Sequence, residues 1–340
     1  MKREFLPGWL LMLALSVAAI YGSKIVEVGG KHPLEAPVLA IVFGMLVRNL
    51  GFAPEICRPG IKAFEKILIA GIVLVGASLD FNLFMAQGVE ILSIITVTML
   101  VGLISIVVLA RLFALPKALG VLLAVGTTIC GGTAIAVTAP MIKAKEEETS
   151  YAIGTIALWG LVAIIAYPMI ARALGVSDAT FGLFAGTSIH STPQVVGAGF
   201  IFSDEAGKMA TAVKLVRNCF LAPMAFLVAI WYAGSNLTEA ETPDAASRWN
   251  SVAKGFPWFL FGYFIMAGLN TAGYFTAEGI SGFSDAGKFL ILLGMAGIGL
   301  NTVFATFKGI GLRPFIVGLI GSIIVAAASA GLISAFGSTS

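Results

Sequence analysis

The sequence predicts an all-α fold: a polytopic helical membrane protein with inverted repeats and two discontinuous or re-entrant helical elements. Three observations predict it. Hydrophobic residues make up 58% of the 340 residues and charged residues only 11%, whereas soluble domains carry roughly 25% charged residues. A soluble core could not absorb that much apolar surface without exposing patches large enough to aggregate. Apolar runs recur from end to end, as in chains that cross a bilayer many times. Two of those runs also share one Gly/Thr/Ser-rich interruption.

The first run, Gly8–Gly22, follows Lys2 and Arg3. It resembles a signal-peptide core, but no small-residue cleavage site is obvious and more runs follow, so it is read as a retained first span. Further candidate spans lie at 35–50, 64–81, 89–111, 116–142, 148–171, 179–201, 206–233, 256–273, 287–307 and 313–335. The polar stretch 235–254, with Glu239, Glu241, Asp244 and Arg248, is read as a surface loop dividing a single transmembrane transporter domain, 1–340.

Lys and Arg mark cytoplasmic loops. Lys2 and Arg3 place the N terminus inside, and Arg48, Arg58, Lys62, Lys66, Arg111, Lys117, Arg248, Lys254, Lys308 and Arg313 follow. The turn after Asp80, with Gln87 and Glu90, suits the outside, while Lys24 and Lys31 oppose the scheme. A net charge of +3 gives no footprint for nucleic acid. Cys57, Cys130 and Cys219 form no CxxC or metal spacing, so neither a disulfide framework nor a metal site is expected.

The shared interruption is a gapless repeat. Gly126-Thr127-Thr128-Ile129 matches Gly186-Thr187-Ser188-Ile189, and each copy is followed by an acidic segment, Glu146–Glu148 and Asp204-Glu205. A fainter repeat pairs Gly76–Asp80 with Gly297–Asn301, with Lys66 and Lys288 opening the two helices. Helices so paired run in opposite directions, as in the inverted repeats of secondary transporters. The runs 116–142 and 179–201 are either broken spans, making the copies parallel, or re-entrant hairpins, making them inverted.

Chemistry is expected at the breaks. In Thr127-Thr128-Ile129-Cys130-Gly131-Gly132-Thr133 the glycine pair disfavours helix, and irregular backbone at membrane depth is tolerated only where it is buried or lines a cavity. A helix restarting near Thr133 offers free N–H groups to an anion. In Ser188-Ile189-His190-Ser191-Thr192-Pro193-Gln194, Thr192 is read as an N-cap and Pro193 as the first helical residue. Ser188, Ser191 and Thr192 add hydroxyl donors. Lys214 and Arg217 share one helix face at i and i+3, with Asn218 adjacent. Buried cations inside spans suggest function; snorkelling to the interface is the bland alternative. His190 either couples protons or donates a hydrogen bond. Glu146, Glu147 and Glu148 either cap the following helix or latch onto Lys214 or Arg217.

Two competing functions remain. Cys130 and His190 hold equivalent repeat positions, so an intramembrane Cys/His enzyme is conceivable, but no residue to orient them follows at a recognisable spacing. A cation–proton antiporter would need a buried carboxylate, and neither 118–142 nor 179–201 contains Asp or Glu; Asp80 is the best substitute. That absence favours an anion.

Further residues carry a resemblance. Ile129-Cys130-Gly131-Gly132-Thr133-Ala134-Ile135, Ala139-Pro140-Met141-Ile142-Lys143-Ala144-Lys145-Glu146-Glu147-Glu148, Ser188-Ile189-His190, Gln194-Val195-Val196, Asp204-Glu205-Ala206, Val213-Lys214-Leu215 and Arg217 resemble the signature of a bacterial sulfate exporter family, over nearly the whole chain. Asn301 and Ser191-Thr192-Pro193 depart from its pattern. The resemblance implies a multi-span inner-membrane transporter, distantly similar to the cation–proton antiporter and bile-acid transporter group. The expected function is therefore a secondary transporter, not an enzyme, exporting a small inorganic or sulfonate-type anion (sulfate- or sulfite-like) by alternating access. The expected binding residues are Thr127, Thr128, Cys130, Gly131, Gly132, Thr133, Ser188, His190, Ser191, Thr192, Gln194, Lys214 and Arg217. Expected partners are the anion, a coupling ion (H+ or Na+), the lipid bilayer and a second copy in a homodimer, with no nucleic acid, metal or cofactor.

Overall fold

In the computed structural model, residues 3–25, 36–79, 82, 88–236, 244–307 and 311–336 are described, and among them every regular element is helical. Asp80, on which the antiporter alternative leans, lies outside the described residues, as do Lys2, Lys31, Gln87, Glu239, Glu241 and Lys308. Five helices are long and apolar enough to cross a membrane, or up to seven if each of two bent helix pairs is one span. The chain divides into two compact units, each discontinuous in sequence.

The first unit comprises 1–86, 199–208 and 258–305. It contains α1 (Leu6–Ile25), α2 (Ala36–Asn49), the short α3 (Arg58–Lys62) and α4 (Phe64–Val75). The later helices α14 (Phe259–Thr271) and α15 (Ala277–Asn301) complete it, and the short α16 (Phe304–Phe307) follows. Helix α15 packs on α2 and α4. The approach to α2 is backbone to backbone: a Cβ on Gly44 would lie 2.5 Å from the Ala296 carbonyl oxygen, and one on Gly299 2.2 Å from that of Ile41. Such contacts suit lipid, where close van der Waals packing replaces the hydrophobic effect.

The second unit comprises 87–198, 209–257 and 306–340. Its long helices are α5 (Gly88–Leu112), α8 (Glu146–Ala173) and α17 (Leu312–Phe336), the unbroken apolar runs of the sequence. Between them lie two interrupted elements, α6 (Lys117–Val125) with α7 (Gly132–Met141), and α9 (Asp178–Ser188) with α10 (Thr192–Phe202). The following α11 (Asp204–Cys219), α12 (Leu221–Asn236) and α13 (Ala245–Gly255) bring the chain back. α17 packs on α5, α8 and α9, and both α12 and α13 pack on α7. An 11-residue helix such as α9 is about 16 Å long at 1.5 Å per residue, roughly half of a 30 Å hydrocarbon core. Each half-helix is therefore too short to cross the hydrocarbon core alone, which suits a break at membrane depth.

Several boundaries differ from the sequence reading. The run 206–233 is two helices bent by 41°. Pro223 cannot donate to the Cys219 carbonyl and crowds it, so α11 ends there. Part of the polar loop 235–254 is α13, capped by Asp244, whose Oδ1 accepts from the Ser247 N–H at 2.8 Å. The run 256–273 begins as a helix only at Phe259. The run 287–307 is displaced: α15 starts ten residues earlier, where the Thr276 hydroxyl accepts from the Gly279 N–H. Its first ten residues are Gly-, Ser- and Asp-containing, which hides a helix from hydropathy. Lys288 therefore sits inside α15 instead of opening it, and pairs with Asp204.

Candidate functional site

The first break arises because the end of α6 widens. Gly126–Cys130 forms a π-helical turn, closed by the Gly131 N–H on the Gly126 carbonyl at 2.9 Å. Gly131 then takes φ +70° and ψ −131°, a region only glycine visits readily. Its missing Cβ would lie 3.0 Å from the Ser191 Cβ, so the two breaks touch. Gly131→Ala is expected to cost about 1–3 kcal/mol of backbone strain, seen as a lowered melting temperature in detergent. Gly132→Ala, whose Cβ meets nothing within 4 Å, is the near-neutral control.

The second break follows Ser188. Ile189 is extended (φ −76°, ψ 147°) and ends α9. The restart differs from the expected Thr192 cap by one residue. Helix α10 begins at Thr192, and the Ser191 N–H donates to Gln194 Oε1 at 3.1 Å. This is the return half of a Ser-x-x-Gln capping box, which makes Ser191 the cap. Gln194 fits because residue 160 is glycine: a Cβ there would lie 2.0 Å from Gln194 Oε1.

Helix α11 presents Lys214 and Arg217 to both breaks. Lys214 Nζ donates to the carbonyls of Ile129 (2.9 Å), Ile189 (3.2 Å) and His190 (2.5 Å). Arg217 donates from Nε to Thr128 (2.6 Å), from Nη1 to Gly186 (3.2 Å), Thr187 (2.9 Å) and Ile189 (3.0 Å), and from Nη2 to Thr127 (2.8 Å). Both side chains are almost wholly buried, 0% and 1% exposed, which rules out snorkelling. A helix end leaves carbonyls unpaired and carries roughly half a negative charge; these two cations answer both needs at both half-helix C termini.

The remaining predicted residues divide. Thr128 and Ser188 donate their hydroxyl protons to their own helices, at Ala124 (2.7 Å) and Phe184 (2.6 Å), so neither offers a donor to a ligand. Thr192 Oγ1 accepts from Asn218 Nδ2 at 3.1 Å and keeps its own proton. Cys130 is a buried free thiol. Thr133 is exposed, and Gly132, Ser191 and Thr192 are half-exposed. The N-terminal ends of α7 and α10 are thus the accessible side of the breaks, and α7 has no side-chain cap. His190 Nε2 lies 2.9 Å from Ser322 Oγ, and that hydroxyl donates to the Gly318 carbonyl at 2.7 Å. His190 therefore donates from Nε2, and its Nδ1 has no partner among the described residues. Thr127 Oγ1 and Asn218 Oδ1 are likewise buried and, among the described residues, unpaired.

Glu148 Oε2 accepts from the Lys145 N–H at 2.8 Å and Glu147 Oε1 from the Tyr151 hydroxyl at 2.9 Å, so these two acids serve the start of α8. Ser322 and Ser329, which meet His190 and Thr187, escaped the sequence reading. Their spacing of seven on an apolar helix puts both on one face, a signal that was available.

Residues 7–318 match the family model described as Conserved hypothetical protein 698. A UPF0324 membrane protein of Oceanobacillus iheyensis is 32% identical over 336 residues, 98% of this chain and 96% of that one. A second, from Nitratidesulfovibrio vulgaris, is 31% identical over 322 residues, 93% of this chain and 89% of that one. Among solved structures, the sodium proton antiporter MjNhaP1 from Methanocaldococcus jannaschii aligns over 97% of this chain and 98% of its own, with 13% identity and a TM-score of 0.30. With a family model spanning most of its length and relatives matched nearly end to end, this helical membrane protein belongs to the family described as Conserved hypothetical protein 698, alongside the UPF0324 membrane proteins.

Proposed function

We propose that the chain is a secondary transporter of a small inorganic or sulfonate-type anion, sulfate- or sulfite-like. It exports the anion by alternating access across the bacterial inner membrane, N terminus in the cytoplasm, with H+ or Na+ as coupling ion. The anion sits at the N-terminal ends of α7 and α10, held by backbone N–H groups of the first turns and by the side chains of Thr133, Ser191 and Thr192.

One observation carries this reading: two buried cations at the breaks with no carboxylate among their hydrogen-bond partners in the described residues. Each half-helix C terminus contributes roughly −0.5 and each N terminus roughly +0.5, so the four ends cancel. Lys214 and Arg217 then leave about two positive charges uncompensated. Burying unpaired charge costs several kcal/mol per ion, and a bound anion removes that cost. A cation exchanger needs the opposite sign and a buried carboxylate.

The test is purified protein in proteoliposomes offered sulfate, sulfite and small sulfonates. Saturable flux of one of them is the expected result. Flux that follows Na+ or H+ and ignores every anion offered would replace this reading with a cation–proton antiporter.

A further inference from the structure

The first unit holds a separate cavity of about 320 Å³, lined by Arg48, Arg58 and Lys62 together with Ile61, Leu300 and Asn301. Its size falls at the low end of ligand pockets, about 300–1,000 Å³. Its cations are not needed to satisfy the nearby helix ends. The Asn49 amide donates to the carbonyls of Met45 (2.9 Å) and Thr302 (2.8 Å), and the Asn301 amide to those of Ile61 and Gly297 (both 2.8 Å). Glu55 pairs with Arg58 at 2.6 Å. Arg48 and Lys62 make no ion pair among the described residues. The cavity therefore carries two cations more than acids.

The connection that bears these cations also exposes Leu50, Phe52 and Ile56 (63%, 70% and 69% exposed). Apolar side chains beside cations are what the headgroup level of a bilayer selects. The cations themselves assign this connection to the cytoplasmic side, where basic pockets between spans recognise anionic lipid.

We propose that this cavity binds the phosphate of an anionic phospholipid headgroup, with the acyl chains lying against Leu50, Phe52 and Ile56. The proposal is independent of the transported ion.

The test measures melting of the full-length protein in detergent with added phosphatidylglycerol, cardiolipin, phosphatidylcholine or inorganic phosphate. Phosphatidylglycerol and cardiolipin are expected to stabilise it and phosphatidylcholine to do nothing. In the Arg48→Gln/Lys62→Gln double variant the anionic-lipid affinity is expected to fall at least about tenfold. Lys62→Gln alone, at an exposed residue, gives a smaller loss and guards against a misfolded double variant. Inorganic phosphate reproducing the shift and competing with lipid supports the same phosphate chemistry with a free-ion source. An anionic-lipid effect undiminished in both variants, or no shift of the wild type by any phosphate-bearing probe, overturns the proposal.

Discussion

Arg217→Ala is expected to abolish saturable sulfate or sulfite binding and to lower the melting temperature in detergent by about 10 °C. The carbonyls of Thr127, Thr128, Gly186 and Thr187 lose their side-chain donor, while that of Ile189 keeps Lys214. A buried polar group left unsatisfied costs about 1–3 kcal/mol, and removing one member of a buried charged network about 3–5 kcal/mol. At roughly 2–4 °C per kcal/mol for larger domains, that is the stated shift. Arg217→Lys separates scaffold from charge. It keeps the positive charge but offers three donors in place of five, so an intermediate melting temperature and weakened, measurable binding are expected. An Arg217→Ala protein that melts and binds like the wild type would remove Arg217 from both roles.

Thr133→Asp is expected to do the reverse to stability. Thr133 is exposed in the first turn of α7, whose N terminus has no side-chain cap. A carboxylate there is favoured by about 0.3–1 kcal/mol, so the melting temperature should hold or rise. The same carboxylate occupies the ground assigned to the anion. At about 4 Å and an effective dielectric constant near 20, like charges repel by about 4 kcal/mol, a loss of affinity of at least a hundredfold. Thr133→Asn, which adds no charge, should bind nearly as the wild type. Unchanged affinity in Thr133→Asp would move the anion away from α7 altogether.

The long apolar helices were legible because their apolar runs are long enough to cross a bilayer: 89–111, 148–171 and 313–335 fall within α5, α8 and α17. The breaks were legible because Gly131 and the Ser191–Gln194 stretch disfavour continuous helix. The start of α15 was not, since a Gly/Ser/Asp-bearing stretch can extend an apolar helix without raising hydropathy. Nor was the bend at Phe220, although Pro223 marks it. At the site, one helix face for Lys214 and Arg217 followed from i, i+3 spacing. Their partners did not, because the carbonyls they hold lie 24 to 90 residues away in sequence. Thr128 and Ser188 were over-read as ligand donors: a hydroxyl inside a helix commonly bonds the i−4 carbonyl, and both do.

The Ile189 carbonyl takes a hydrogen bond from Lys214 and another from Arg217, and the same two side chains grip the opposite break. One turn of α11 therefore acts as a rivet through two plates. Prising the breaks apart would tear at least the bonds that these two side chains make to one of them, three at the first break or five at the second. Under the proposed transport function, the two breaks and this turn of α11 are expected to move as a single piece, carrying a bound anion with its cradle.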